Sequence, residues 1–460
     1  MSDLLKGMSA SEFYRLRDER TSLLVDDDTR AKARLTLSIG EEEAQTFAGQ
    51  LCFLLLVSLS ARWCRHIGVQ APDTKLHSNI EILFGSASLI EATQSLAKAA
   101  DPFGLLQLKS VEKASSHIHI GRLAPPEAFA VMGRGWVAAG GKDIDSIPNT
   151  NDTNPLGPAF AAAIGSCWSL REAMHHADLG GSFRLSLWDY SSGKDAIPGP
   201  ALEPFNLGRV LIVGAGAIGS GITFLLPLLP TRIESIHFID ADIVKVPNLN
   251  RSPLFTTGEI GKPKVDAGTQ HLQKFGITAS STPMWFHDAA PDLGNFDLIV
   301  PGANEFGVQQ SMMSNYPPLM IGASTGPQWD IHLQRHIPLI DDCLECRIPS
   351  ERPKPTLRCG SGDISDFDDP GAPRQTGALP FLSLAASLLA LAEIAKLEMP
   401  EKPLSGENGV MLFFKAIEPN FMSLRYDTKP NCPYCWDEER FHRLRSKGRF
   451  FHLSKGQLNQ

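Results

Sequence analysis

The segment RVLIVGAGAIGSG, residues 209–221, constrains the fold more than any other part of the chain. An apolar run, Val210–Val213, reads as a buried strand, and Gly214, Gly216 and Gly219 follow where a helix should open. Such a turn binds phosphate. The glycines let the backbone approach an anion, and the free amides of the helix start point at it with the positive end of the dipole. The next strand, Ile236–Ile239, leads into Asp240, placed to accept hydrogen bonds from ribose hydroxyls. These features alone also suit an NAD-dependent dehydrogenase. Asn248, Arg251 and Lys264 in NLNRS and GKPK go further. A dinucleotide enzyme has no standing need for them, whereas a triphosphate does: Arg binds phosphate through a planar fork and Lys as a point charge.

Four of the eight cysteines form two CxxC pairs, Cys343 with Cys346 and Cys432 with Cys435. That spacing predicts a tetrahedral structural zinc, with a redox pair as the competing reading. Between the pairs, residues 348–377 read as a long polar loop that carries Cys359 beside Arg358. A thiol in such a place can reach the thiolate form and act as a nucleophile. Cys52, Cys64 and Cys167 lie in apolar surroundings and read as buried fillers.

From about Arg209 to Trp436 the sequence resembles the ubiquitin-activating enzymes and their bacterial relatives of the ThiF and MoeB type. The resemblance implies an α/β Rossmann-like adenylation domain that binds ATP and Mg2+ through Gly214, Gly216, Gly219, Asp240, Asn248, Arg251 and Lys264. It implies adenylation of the C-terminal carboxylate of a ubiquitin-like protein, followed by attack of a thiol on the adenylate. It also implies that the two CxxC pairs hold Zn2+ and that Cys359 stands where relatives carry their cysteine. One departure concerns magnesium. Relatives place an Asp after the strand that corresponds to Leu298–Val300, where this chain has Asn304 followed by Glu305. A neutral carbonyl holds a hard cation less well than a carboxylate. Either Glu305 substitutes or adenylation is impaired. Ser252, where the family often has Gln, is a lesser departure.

With 460 residues, 43% hydrophobic and 20% charged, the chain can bury two cores. The expected organisation is a first domain over 1–190, a Pro/Gly linker over 191–208, an adenylation domain over 209–440 and a basic tail over 441–460. The first part lacks a glycine-rich loop, but NPLGPAFAAAIGSCWSLREAMHHA reads as an Ala-rich helix that resembles the late helix of adenylation domains. It is therefore expected to be a degenerate adenylation domain, giving a pseudo-dimer in one chain, with a homodimer as the other arrangement. In the resembled family an Arg near the start of one domain reaches the partner domain's phosphates, and Arg20 has better spacing for this than Arg15 or Arg17. His117 and His119 alternate on one face of a strand and read as structural.

A net charge of -8 leaves no electrostatic footprint for nucleic acid. The run LCFLLLVSL is too short to span a bilayer, and PFLSLAASLLALAEIAKL carries Glu393 and Lys396, so it reads as a buried helix. No signal peptide is visible, and paired thiolates suit a reducing cytoplasm. The expected partners are a ubiquitin-like substrate and a conjugating enzyme, in a system of the bacterial kind that serves antiviral defence. The alternatives are a sulfur-carrier activator, a dehydrogenase and a non-enzymatic binding protein.

Overall fold

Val210–Val213 and the runs like it determine the architecture, because strands apolar on both faces must be covered by helices on both sides. The computed structural model describes residues 5, 7–142, 144, 147, 153–175, 182–303, 308–347, 377–399, 407–416, 418–435 and 437–455. Seven strands build a first sheet: β1 Leu35–Ile39, β2 His66–Gln70, β3 Leu105–Gln107, β4 Ser116–Ile120, β5 Phe129–Arg134, β6 Val137–Gly141 and β7 Phe183–Ser186. Eight build a second: β8 Phe205–Val213, β9 Thr231–Ile239, β10 Ala279–Thr282, β11 Leu298–Pro301, β12 Leu319–Thr325, β13 Asp330–His336, β14 Gly409–Phe413 and β15 Asn420–Leu424.

The strand orders are β3-β2-β1-β4-β5-β6-β7 and β10-β9-β8-β11-β12-β13-β14-β15. Each sheet thus begins with five parallel strands in the same order and continues with antiparallel ones. The order reverses beside β1 in one and beside β8 in the other. In open α/β sheets that reversal is where crevices for ligands form.

The helices repeat as well. Phe47–Ala61 follows β1 and packs on Leu156–Ala173, while Ala217–Leu225 follows β8 and packs on Pro380–Ala395. The two late helices pack on each other at the centre. All fifteen residues of Phe47–Ala61 are buried, as a helix apolar all round should be, and Thr46 caps it by accepting the Gly49 amide at 2.9 Å. Pro380–Ala395 is buried too, and its charges are paired. Lys396 Nζ lies 2.7 Å from Glu393, and Tyr190 donates to the same carboxylate at 2.6 Å, so a residue from outside the second sheet closes the pair.

Three boundaries differ from those read in the sequence. β8 begins at Phe205, inside the expected linker. The helix Ala10–Arg17 bridges the two halves: Phe13 packs with Val244, Val246, Leu249 and Phe255 and also with Phe103, and Arg17 pairs with Asp101. The expected basic tail is docked on its own chain as far as Lys455. Phe450 and Leu453 enter the core, Arg445 donates to the Asn315 carbonyl at 2.8 Å, and Arg449 donates to that of Asn206 at 2.8 Å. Apolar residues interleaved with the cations gave that segment a face to bury, which its net charge concealed. Among the described residues no helix is long and apolar enough to cross a membrane.

Candidate adenylation site and thiol cluster

The glycine turn after β8 has the shape its sequence demands. Gly214 lies at φ +89°, and a Cβ there would stand 2.6 Å from the Ala303 amide nitrogen. A Cβ on Gly219 would meet the Gly214 carbonyl oxygen at 2.2 Å, so this glycine allows the helix to pack on the strand. Gly216 faces open space. It starts the helix Ala217–Leu225, and no side chain caps the helix's first amides.

A cavity of about 270 Å³ opens over this turn, with Gly214, Gly216, Asp240, Asn248, Arg251 and Lys264 all on its wall. Arg20 lines the same cavity. Asp240 follows β9 directly; its carboxylate accepts the Ala215 amide at 2.7 Å and the Asp242 amide at 2.8 Å, bracing the turn. Burial raises the Asp240 carboxyl above the usual carboxylate range, against the opposing pull of Lys264. Lys264 opens the helix Lys264–Gln273 and places Nζ 2.7 Å from the Asp242 carboxylate. Asp242 also lines the cavity, and the sequence reading missed it. The signal available was Asp-Ala-Asp, two acids one strand period apart.

Asn248 is turned back on its own loop, accepting the Lys245 amide at 2.8 Å. Arg251 donates to the Pro247 carbonyl at 2.8 Å and to Asn250 Oδ1 at 3.0 Å. This loop is held from outside. Arg62, fully buried at the end of Phe47–Ala61, donates to the carbonyls of Leu249, Pro253 and Phe255. Asn250 donates to Thr21 Oγ1 at 2.8 Å, and Thr21 in turn donates to the Ala378 carbonyl at 3.2 Å. The residue beside Arg20 therefore joins the Asn-x-x-Arg loop to the chain entering Pro380–Ala395. Arg17 is consumed elsewhere, 2.7 Å from Asp18 and 2.8 Å from Asp101, and Arg15 is exposed.

Gly302 and Ala303 reach the cavity, but Asn304 and Glu305 lie outside the described residues, as do Cys359 and 348–376. Cys52, Cys64 and Cys167 are buried, and burial raises all three thiols. They are poor nucleophiles there.

The two CxxC pairs meet. Cys343 Sγ lies 3.6 Å from Cys346 and 3.5 Å from Cys432, and Cys346 Sγ lies 3.7 Å from Cys435, with all four sulfurs within 4.8 Å of one another. Four thiolates at about 2.3 Å from a tetrahedral zinc stand about 3.8 Å apart, so the donor set fits that ion. Hydrogen bonding to Cys435 and burial raise the Cys343 thiol, a tendency that a bound cation reverses. Zinc here would tie the short helix Leu344–Arg347 to the turn before the helix Glu438–Arg445.

A family model described as "ThiF family" matches residues 196–434, more than half of the chain, and the chain belongs to that family. A second model, described as "BilD N-terminal domain", matches residues 34–181. Among curated proteins, the sulfur carrier protein adenylyltransferase of Thermus thermophilus is 28% identical over 247 residues, covering 51% of this chain and 85% of that protein. The NEDD8-activating enzyme E1 catalytic subunit of Saccharomyces cerevisiae is 30% identical over 155 residues, covering 30% of this chain and 51% of that protein. Among solved structures, E. coli MccB with MccA-N7isoASN aligns at 20% identity and a TM-score of 0.39, covering 49% of this chain and 67% of that one. The family and its relatives place the chain in the ThiF and MoeB-like, ubiquitin-activating superfamily of adenylating enzymes, which use ATP with Mg2+.

Proposed function

We propose that this chain is an ATP-dependent activating enzyme for a ubiquitin-like protein, acting in a bacterial conjugation system that serves antiviral defence. The observation that carries the proposal is the cavity over Gly214, where Asp240, Asn248, Arg251 and Lys264 meet Arg20 from the start of the chain. Asp240 would receive the ribose and the open amides after Gly216 the phosphates of ATP. A carboxylate oxygen of the modifier's C-terminus bonds to the α-phosphorus while the bond to pyrophosphate breaks. Negative charge gathers on the phosphates, and Arg251, Lys264 and Arg20 stand where cations lower its energy. Magnesium, when bound, supplies further charge neutralisation there, with Asp242 as its described carboxylate; Asn304 and Glu305 are the residues that the sequence resemblance adds. The Cys359 thiolate would then attack the acyl carbon, AMP would leave, and the thioester would pass to a conjugating protein's thiol.

The two-part organisation supports a conjugation role over sulfur transfer. The match to the Thermus enzyme takes up 85% of that protein, leaving it little length for a counterpart of residues 34–181. We read residues 1–190 as a degenerate adenylation domain on the strength of the shared strand order. The same 28% likeness favours sulfur-carrier activation as the second reading.

Adduct formation in extract of the source cell separates these readings. Tagged chain, magnesium and ATP should give a heavier, thiol-sensitive band on a non-reducing gel, absent with Cys359→Ser. Pyrophosphate exchange without the band would favour the sulfur carrier, and absence of both would favour a binding protein.

A further inference from the structure

The matching strand orders put a second crevice on the first sheet where the second sheet holds its glycine turn. Val213 pairs with Pro301 at the ends of β8 and β11, and Ile39 with Ile120 at the ends of β1 and β4. Gly40 thus stands where Gly214 stands, and Gly121 where Gly302 stands. A cavity of about 610 Å³ opens there with a different lining. Gly40 leads into a one-turn helix whose Glu41, Glu42 and Glu43 are all on the wall, together with Arg122 and Arg134. Glu43 is neutralised by Arg134 at 2.5 Å, whereas Glu41 and Glu42 are exposed.

His119 also lines the cavity and is only 7% exposed. Its Nδ1 is 2.8 Å from Ser38 Oγ, which is 2.8 Å from His117 Nε2, while His117 Nδ1 lies 3.5 Å from the Glu127 carboxylate. In the tautomer with the His117 proton on Nδ1, facing the Glu127 carboxylate, Ser38 donates to His117 Nε2 and accepts from His119 Nδ1, and His119 Nε2 is a bare lone pair. No described group bonds that nitrogen. A Cβ on Gly121 would come within 3.3 Å of it and one on Gly40 within 3.8 Å, so the two glycines keep the space before it clear. Burial holds the imidazole neutral, pushed down to about 4.

A lone pair on the wall and carboxylates at the rim call for a group that only donates and carries positive charge. The acids and imidazoles here do not converge for a metal: among the described residues only the four cysteines do. We propose that this cavity binds a basic side chain, guanidinium or ammonium, of a partner polypeptide. Glu41 and Glu42 take the charge, His119 Nε2 accepts one N–H, and Met132 and Ile147 flank the aliphatic stem.

The full chain, labelled with carbon-13 at its methionine methyls, provides the test, because Met132 lines the cavity. It is titrated with acetyl-arginine-amide, acetyl-lysine-amide and the neutral isostere acetyl-citrulline-amide. A saturable Met132 shift with one of the cations, and binding of citrulline weaker by about tenfold or more, is the expected result, and the tighter cation names the group. Glu41→Gln with Glu42→Gln should weaken the cation by about tenfold while leaving the other methionine methyls in place, since both side chains are exposed. His119→Phe should do the same. Citrulline binding as well as arginine, an unmoved Met132, or undiminished affinity in the double Glu variant would overturn the proposal.

Discussion

The two sheets share a strand order and differ in the turn that leaves their switch-point strand. After β8 the chain turns through Gly214 at φ +89° and starts a helix of nine residues; after β1 it runs through Gly40 into a one-turn helix that opens with three glutamates, before Thr46 caps the longer one. One crevice is arranged for phosphate and the other for positive charge. Topology therefore supplies the crevice, and a handful of residues at the switch point decide its chemistry. The halves are also mechanically joined, since Arg62 from the first holds the carbonyls around Arg251 in the second.

Among the described residues the thiol cluster belongs to the second half alone, and removing it should have the largest effect. A chelator, or Cys343→Ser with Cys432→Ser, should lower the unfolding midpoint by about 10 °C, given several kcal/mol from the site. Hydrogen exchange should rise in β12–β14 first and leave β1 and β4 protected; equal loss in both sheets would contradict this. Next, Gly214→Ala should cost about 1–3 kcal/mol of stability and remove ATP binding, because a Cβ meets backbone at 2.6 Å and φ is positive. Its counterpart Gly40→Ala has nothing nearer than 3.8 Å and should stay within about 0.5 kcal/mol, as denaturant titration would reveal.

Arg62→Met tests the joint between the halves. It leaves three buried carbonyls without their donor, at a cost of about 2–4 kcal/mol, and frees the loop that carries Arg251, so Mg-ATP affinity should fall with it. A drop in stability with unchanged affinity would show that the loop holds its shape alone. The smallest effect is expected of Arg20→Ala. It should weaken Mg-ATP by about tenfold and shift the unfolding midpoint by no more than about 2 °C.

The second site was largely legible because its residues fall in short motifs with local geometric causes: Gly214, Gly216 and Gly219 around one turn, Asp240 at a strand end, and Cys343 and Cys346 on adjacent turns. The two late helices were legible as apolar runs. Asp242, Arg62 and Thr21 were not, since their roles depend on which distant carbonyl, cation or amide the fold brings beside them. That the tail docks was not legible, because its charge outweighs Phe450 and Leu453, which anchor it, in composition. The first crevice was invisible for a related reason. The environment of His119 depends on its contact with Ser38, 81 residues away in sequence.

Two crevices of common topology should yield one nucleotide site, and that number can be counted. Equilibrium titration of the full chain with Mg-ATP should give one site per chain, weakened by Lys264→Ala and by Arg20→Ala and unmoved by Glu41→Gln with Glu42→Gln. Two sites per chain, or an affinity indifferent to Lys264, would contradict the account.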